Sequence, residues 1–260
     1  EALPVGISYG PLFSANETLI NVIAAIRDIT RFRPAEEMKT SFISVVSHEL
    51  KTPIALIKGY VSTLRRDDVE WDREIVSESL AVIEDEADHL TEMVEDLLDA
   101  TRLQAGGLSL KKAELEIPRL ARFLADRYTA QTQKHSFVVE FPADFPVIPA
   151  DEERIRQVLT NLLNNAIKYS PGGEIRISAK TRQKDVVVCV SDRGPGIDPR
   201  DLPYVFDRFY RSDEAAKTTK GTGLGLYLCR EIIRAHDGKI WVDETYKEGS
   251  RICFSLPREV

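Results

Sequence analysis

The sequence predicts two architectures in series. The first is an antiparallel helical hairpin that forms a dimeric four-helix bundle, and the second is an α+β two-layer sandwich. Three observations predict this. Apolar positions at Val46, Leu50, Pro53, Ile57, Tyr60 and Leu64 step alternately by four and three, the seam of a coiled coil or helical bundle. The same rhythm returns at Val76, Leu80, Ile83, Ala87, Leu90, Val94, Leu97 and Thr101, and stops at Gly106-Gly107. Beyond those glycines the pattern changes to short β-branched runs alternating with amphipathic helices.

Composition narrows the class. A chain of 260 residues is long enough for more than one domain, since domains usually hold about 100–200 residues. Hydrophobic residues make up 43% and charged residues 30%, enough for real cores under a wet surface. The net charge of −7 argues against a nucleic-acid partner, which would call for a basic patch. No run of about 18 apolar residues offers a membrane span, and no signal peptide is legible. The expected setting is the cytoplasm. Because the sequence opens on Glu1, it reads as a portion of a longer protein, and any membrane anchor would lie outside it. Cys189, Cys229 and Cys253 lack metal or redox spacing and are expected to be buried, reduced thiols.

Taken in order, residues 1–33 read as two strands, 5–9 and 19–29, around a polar turn at 14–17. Two strands cannot bury a stable core alone, so they look like the last hairpin of a larger sheet domain. A helix is expected from Pro34 to about Arg66, broken by Asp67 and Asp68, with Asp72 capping the next. The hairpin domain thus spans residues 34–105. One apolar stripe per helix is half a four-helix bundle, which implies a homodimer. The sandwich spans residues 108–260. Its expected elements are a strand over 108–117, a helix opened by Pro118, a strand over 137–141 and a helix from the Asp151 cap to Tyr169. Two strands follow over 173–182 and 185–191, then a helix over 224–235 and a closing hairpin over 239–244 and 250–256.

Four stretches carry chemistry. His48 lies on the outer helix face beside Glu49, where an imidazole with a carboxylate neighbour can act as a nucleophile; a solvated surface histidine is the plainer alternative. Asn161, Asn165 and Lys168 fall at i, i+4 and i+7, one helical face that suits a metal-bound polyphosphate. Asparagine is a poor helix former, so three in five residues need a reason. Asp192 ends a strand, where it can accept from an exocyclic amine, and Gly194 and Gly196 let backbone approach a ligand; a capped tight turn is the alternative. Gly221, Thr222, Gly223, Leu224 and Gly225 open a helix whose free N–H groups can cradle phosphate. Neither a dinucleotide fingerprint nor a P-loop fits that glycine run. Between the last two stretches, residues 198–220 read as a lid anchored by aromatic residues, with Arg211 or Lys220 facing phosphate.

In order and spacing these stretches resemble the histidine kinase family of two-component systems. His48-Glu49-Leu50-Lys51-Thr52-Pro53 is similar to its H-box, Asn161 through Tyr169 to its N-box, and Asp192 through Gly196 to its G1 box. Phe206 through Arg211 resembles the F-box, and Gly221 through Gly225 the G2 box. The resemblance covers about residues 34–260; the end of the first hairpin more loosely resembles the exit of a PAS sensor domain. It implies a Bergerat-type ATP-binding fold, ATP and Mg²⁺ as cofactors, and a response-regulator receiver domain as partner. It further implies that His48 accepts the γ-phosphate, Glu49 takes the ring proton, and Thr52 orients water for dephosphorylating the regulator. Asn165 would ligate Mg²⁺, while Asn161, Lys168, Tyr169, Ile197, Tyr210, Arg211, Lys220 and the glycine run surround the nucleotide and Asp192 reads adenine. The gyrase, chaperone and mismatch-repair ATPases share the nucleotide fold but lack this histidine-bearing hairpin, and intact boxes argue against an inactive scaffold. For phosphate to reach His48 the nucleotide domain would swing about the linker at Ala105-Gly106-Gly107.

Overall fold

The computed structural model describes residues 5–13, 17–28, 33–66, 68–104, 109–212 and 221–258. The chain forms two units, Glu1–Thr52 and Pro53–Val260. In the first, β1 (Val5–Phe13) pairs antiparallel with β2 (Leu19–Asp28), Val5 opposite Asp28. The first strand runs four residues past the expected end, and the expected turn at 14–16 lies outside the described residues. Helix α1 (Arg33–Leu64) begins in this unit and continues into the second. Pro53 sits inside it and, lacking an N–H, donates no helical hydrogen bond.

The second unit holds α2 (Arg73–Gln104), whose Asp72 carboxylate accepts from the Glu74 N–H at 3.4 Å, as the cap predicted. Helix α2 buries Ser79, Met93 and Ala100, whereas Leu80 and Val94 of the expected seam remain 54% and 46% exposed. One stripe is covered within this chain, and its neighbour is not. The linker at 105–108 lies outside the described residues.

Beyond it come β3 (Ala113–Leu115), α3 (Ile117–Gln131), β4 (His135–Glu140), β5 (Ile148–Ala150), α4 (Glu152–Tyr169), β6 (Gly173–Thr181) and β7 (Asp185–Ser191). Then follow α5 (Gly225–Ala235), β8 (Lys239–Val242) and β9 (Arg251–Pro257). The long strand expected over 108–117 shrinks to three residues paired with β5, which carries a proline and is too short to show a period in sequence. The main sheet runs β4-β6-β7-β9-β8, parallel only between β4 and β6. Alternate residues Ile175, Ile177, Val186, Val188, Ile252 and Phe254 meet Leu120, Leu124, Leu159, Leu163 and Ile232 of the helices in one core. The expectation of reduced cysteines is corrected at two positions. Cys189 and Cys253 lie directly opposite on β7 and β9 and form a disulfide, because strand pairing places them side by side although 64 residues separate them. Cys229 alone is a free, buried thiol.

The start of α4 is joined to the end of α5. Asp151 caps α4 by accepting from the Arg154 N–H at 3.2 Å, and its second oxygen accepts from the Lys111 N–H at 2.8 Å. The Asp151 N–H donates to His236 Nε2 at 3.0 Å, and the other ring nitrogen lies 2.8 Å from the Ile232 carbonyl. With Nε2 as acceptor, the proton sits on Nδ1 and the neutral ring satisfies both neighbours. Burial lowers the His236 pKa below its ordinary 6.5. The folded state thus favours the uncharged ring; its contribution is complete above pH 6.5 and is lost as pH falls through the lower folded value. Replacing His236→Leu should cost about 1–3 kcal/mol, read by urea unfolding well above that pH, and should flatten the acid-side decline in stability.

Candidate functional site

The site lies along one side of α4, where the loop after β7 and the glycine run before α5 meet it. Helix α4 is amphipathic: Ile155, Val158, Leu159, Leu162, Leu163 and Ala166 are buried, which leaves Asn161, Asn165 and Lys168 on the opposite edge. Asn161 Nδ2 approaches the Gly225 carbonyl at 3.5 Å, and a Cβ on Gly225 would stand 3.6 Å from the Asn161 side chain. Lys168 reaches the glycine run as well, for a Cβ on Gly221 would come within 2.8 Å of its Nζ. Its ammonium also lies 5.2 Å from the Tyr169 ring centroid. Asn164, the third asparagine of the run, serves another purpose. Its Oδ1 accepts from the Tyr128 hydroxyl at 2.6 Å, tying α4 to α3.

Asp192 is 5% exposed and held on several sides. Its Oδ1 accepts from the Gly194 N–H at 2.7 Å and the Ser250 N–H at 3.2 Å, and its Oδ2 accepts from the Ser250 hydroxyl. The backbones are joined too, Asp192 N–H donating to the Ser250 carbonyl at 2.9 Å. Sequence reasoning missed Ser250. The only available signal was its place just before β9, next in the ladder to the strand that ends at Ser191, one residue before Asp192. Gly249 must lack a Cβ there, since one would fall 2.1 Å from the Asp192 carbonyl oxygen. Gly194 likewise has no room, with Asp192 Oδ1 at 2.9 Å and the Tyr169 carbonyl at 3.0 Å from a built Cβ. Gly196, at φ +80°, and Ile197 continue this loop.

The glycine run enters α5 as expected. Gly221 and Gly223 hold φ +145° and +69°, Thr222 is buried with its hydroxyl accepting from the Leu224 N–H at 3.3 Å, and Leu224 is fully buried before the helix starts at Gly225. Phe209 also takes a positive φ, +65°, and its N–H donates to the Gly223 carbonyl at 3.0 Å. A Cβ on Gly223 would meet the Phe209 carbonyl carbon and the Tyr210 oxygen at 2.8 Å, so the two segments press backbone to backbone. The Tyr210 hydroxyl donates to Asp201 at 2.7 Å, fixing the aromatic anchor beside Arg211. Residues 213–220 of the expected lid, including Lys220, lie outside the described residues.

Two features adjoin this site without having been foreseen. Leu97 and Ala100 of α2 pack with Phe209, Leu224, Tyr227 and Leu228. Asp99 of α2 binds Arg154 at 2.6 Å and Gln157 at 3.0 Å on α4. Of the residues expected around His48, Glu49 and Thr52 are placed in and half-buried on α1, while the His48 side chain lies outside the described residues.

A buried strand-end carboxylate, a polar helix edge and a glycine-rich helix entry define a nucleotide-binding sandwich carried behind a helical hairpin. Comparison with known proteins identifies the class. The profile described as "Histidine kinase-, DNA gyrase B-, and HSP90-like ATPase" matches residues 150–260, and that of the "His Kinase A (phospho-acceptor) domain" matches residues 38–106. The catalytic domain of histidine kinase ThkA is 31% identical, at TM-score 0.51 over 57% of this chain and 98% of that one. Histidine kinase ThkA in complex with response regulator TrrA shares 26% identity at TM-score 0.64, over 97% of this chain and 75% of that one. Sensor protein SrrB of Staphylococcus aureus (strain N315) is 38% identical over 240 residues, 91% of this chain and 41% of that protein. The chain therefore spans about two fifths of the length of the curated relatives it matches. It belongs to the sensor histidine kinase family.

Two substitutions test the geometry. Ser250→Ala leaves the Asp192 carboxylate short of a buried donor and should cost about 1–3 kcal/mol in urea unfolding. Gly223→Ala forces a Cβ into the Phe209 backbone at positive φ; it should weaken binding of a fluorescent nucleotide analogue by about tenfold or more, with a lowered melting temperature.

Proposed function

We propose that this chain phosphorylates itself on His48 at the expense of ATP and passes the phosphoryl group to an aspartate of a response-regulator receiver domain. The observation that carries the reading is the convergence of Asn161, Lys168 and the glycine run at the entry to α5, with buried Asp192 at the end of β7. Adenine would sit against Asp192, which accepts from its amino group, beside Gly194, Gly196 and Ile197. The N–H groups at the entry to α5 and the Lys168 ammonium would face the phosphates. The cradle fits: a Cβ at Gly221 would occupy space in front of Lys168. Asn165 would hold Mg²⁺ with Asn161 near the phosphates, an oxygen-donor set suited to that ion. The metal's contribution when bound is charge neutralisation across the phosphate oxygens.

In the transfer, a ring nitrogen of His48 bonds to the γ-phosphorus while the bond to the bridging oxygen breaks, and ADP leaves. The proton on the other ring nitrogen passes to Glu49, which keeps the imidazole electron-rich. Arg211 would balance charge as it develops. Thr52, one turn beyond His48, would orient water for the reverse duty, dephosphorylating the regulator. The hairpin would pair with a second copy. Leu80 and Val94, with Ala87 midway between them, form an exposed stripe at seven-residue spacing, the repeat of a bundle seam. Residues 1–33 would be the end of a PAS-like sensor domain relaying a signal through α1, with the hairpin at 34–105 and the catalytic domain at 108–260. This fits a cytoplasmic portion of a sensor, and among the described residues no helix is long and apolar enough to cross a membrane.

Incubation with γ-labelled ATP and Mg²⁺ tests the reaction. The expected result is an acid-labile, alkali-stable label that vanishes in His48→Gln. Label retained in that variant, or ATP turnover without labelling, would overturn the assignment and favour a plain ATPase. Sedimentation tests the dimer: Leu80→Glu with Val94→Glu should yield monomers whose nucleotide affinity is unchanged.

A further inference from the structure

The face of the main sheet turned away from the helices carries a cavity of about 370 Å³ whose lining includes Cys189, Cys253, Lys180, Arg182, Trp241 and Arg251. Both cysteines line the cavity, and Cys189, which is only partly covered where Cys253 is 2% exposed, is the more accessible of the pair. The rim is cationic. Against Lys180, Arg182 and Arg251 stands Asp243, 3.7 Å from the Arg251 guanidinium. Such a rim concentrates small anions at the disulfide. The third cysteine, Cys229, is a bystander: it is buried in α5, and burial pushes its thiol up to about 12.

The position of the pair in the sheet gives it a consequence. Cys189 and Cys253 face each other on β7 and β9, and the next rungs are Val190 with Ile252 and Ser191 with Arg251. The following pair is Asp192 with Ser250, the hydrogen-bonded unit at the adenine end of the site. A covalent bond three residues away on both strands holds the ladder that sets this carboxylate.

We propose that Cys189 and Cys253 form a reversible thiol–disulfide exchange site for a small anionic thiol and its disulfide, and that their oxidation state sets nucleotide affinity through the β7–β9 ladder. The second half rests on the nucleotide reading above. In the oxidising direction, Cys189 thiolate attacks a small disulfide RSSR, forming a mixed disulfide and releasing one RS⁻. Cys253 thiolate then attacks the Cys189 sulfur, closing the protein disulfide and releasing the second RS⁻; the two protons from the protein thiols end on the two RSH formed. Reduction runs the same steps backwards, with RSH as reductant.

Glutathione is a suitable anionic probe. The whole chain is equilibrated over graded ratios of reduced to oxidised glutathione, and unfolded samples are alkylated and weighed. The expected count rises from one free thiol to three, both members of the pair moving together. A count that stays constant across the series overturns the exchange site. Lys180→Glu with Arg182→Glu should slow reduction by glutathione about tenfold, and reduction by 2-mercaptoethanol, whose attacking thiolate carries one negative charge fewer, distinctly less. Equal rates with glutathione, or equal slowing with both thiols, overturn the anionic preference. Affinity for a fluorescent ADP analogue should differ about threefold or more between the oxidised and reduced protein, and the shift should disappear in Cys189→Ser and in Cys253→Ala. Nucleotide binding that is identical in both states overturns the coupling. No nucleotide binding in either state would sink the kinase reading instead, and the thiol counts would still decide the exchange site.

Discussion

The meeting of β7, its following loop and the start of β9 depends on keeping one carboxylate, Asp192, buried and aimed. Burying an ionised group is costly unless donors surround it. Here the donors are two backbone N–H groups, from Gly194 and Ser250, and one hydroxyl, from Ser250. Backbone donors cannot rotate away, so the carboxylate keeps one orientation without long, entropically costly side chains. Several glycines follow from that constraint. Gly249 and Gly194 exist because the Asp192 neighbourhood leaves no space for a Cβ, and the sharp loop at Gly196 returns the chain toward the same point.

The glycine-rich end is built differently, from segments that touch with little side chain between them. Phe209 and Gly223 share a backbone hydrogen bond and both take positive φ, an arrangement that only close packing sustains. Helix α4 contributes one edge to this end, and its own placement is set far away, where Asp151 joins the His236 ring and Lys111. Helices α4 and α5 are thereby fixed at one end by a hydrogen-bonded knot and at the other by the Asn161–Gly225 approach.

Features set by neighbours in sequence were legible. The Asp151 cap, the polar edge of α4, the turn glycines and the entry to α5 all follow from spacing along a single element. Features set by strand pairing were not. Ser250 is 58 residues from Asp192 and Cys253 is 64 from Cys189, and nothing local marks either partner. His236 falls one residue past the helix predicted over 224–235, and nothing local marks its acceptor role toward Asp151, 85 residues away. Asn164 fell outside the predicted ligand face, and propensity flags an asparagine without saying what it binds; the answer was the Tyr128 hydroxyl.

The end of α2 adds a thermodynamic condition to any swing of the catalytic domain. Ala100 is fully buried against Leu224 and Leu228, at the entry to the very helix whose N-terminus would face phosphate, and Asp99 grips Arg154. Moving away would uncover apolar surface and separate that ion pair, so the linker glycines alone do not make the swing free. A ligand that tightens the glycine run in either arrangement shifts the balance between docked and released populations by its difference in affinity for the two. In the proposed kinase, a shift of α2 that a nucleotide favours would raise nucleotide affinity by the same factor, since such coupling is reciprocal. Under the proposed function, the last turns of the hairpin would therefore make ADP and ATP effectors of the helices as much as the helices are effectors of the site.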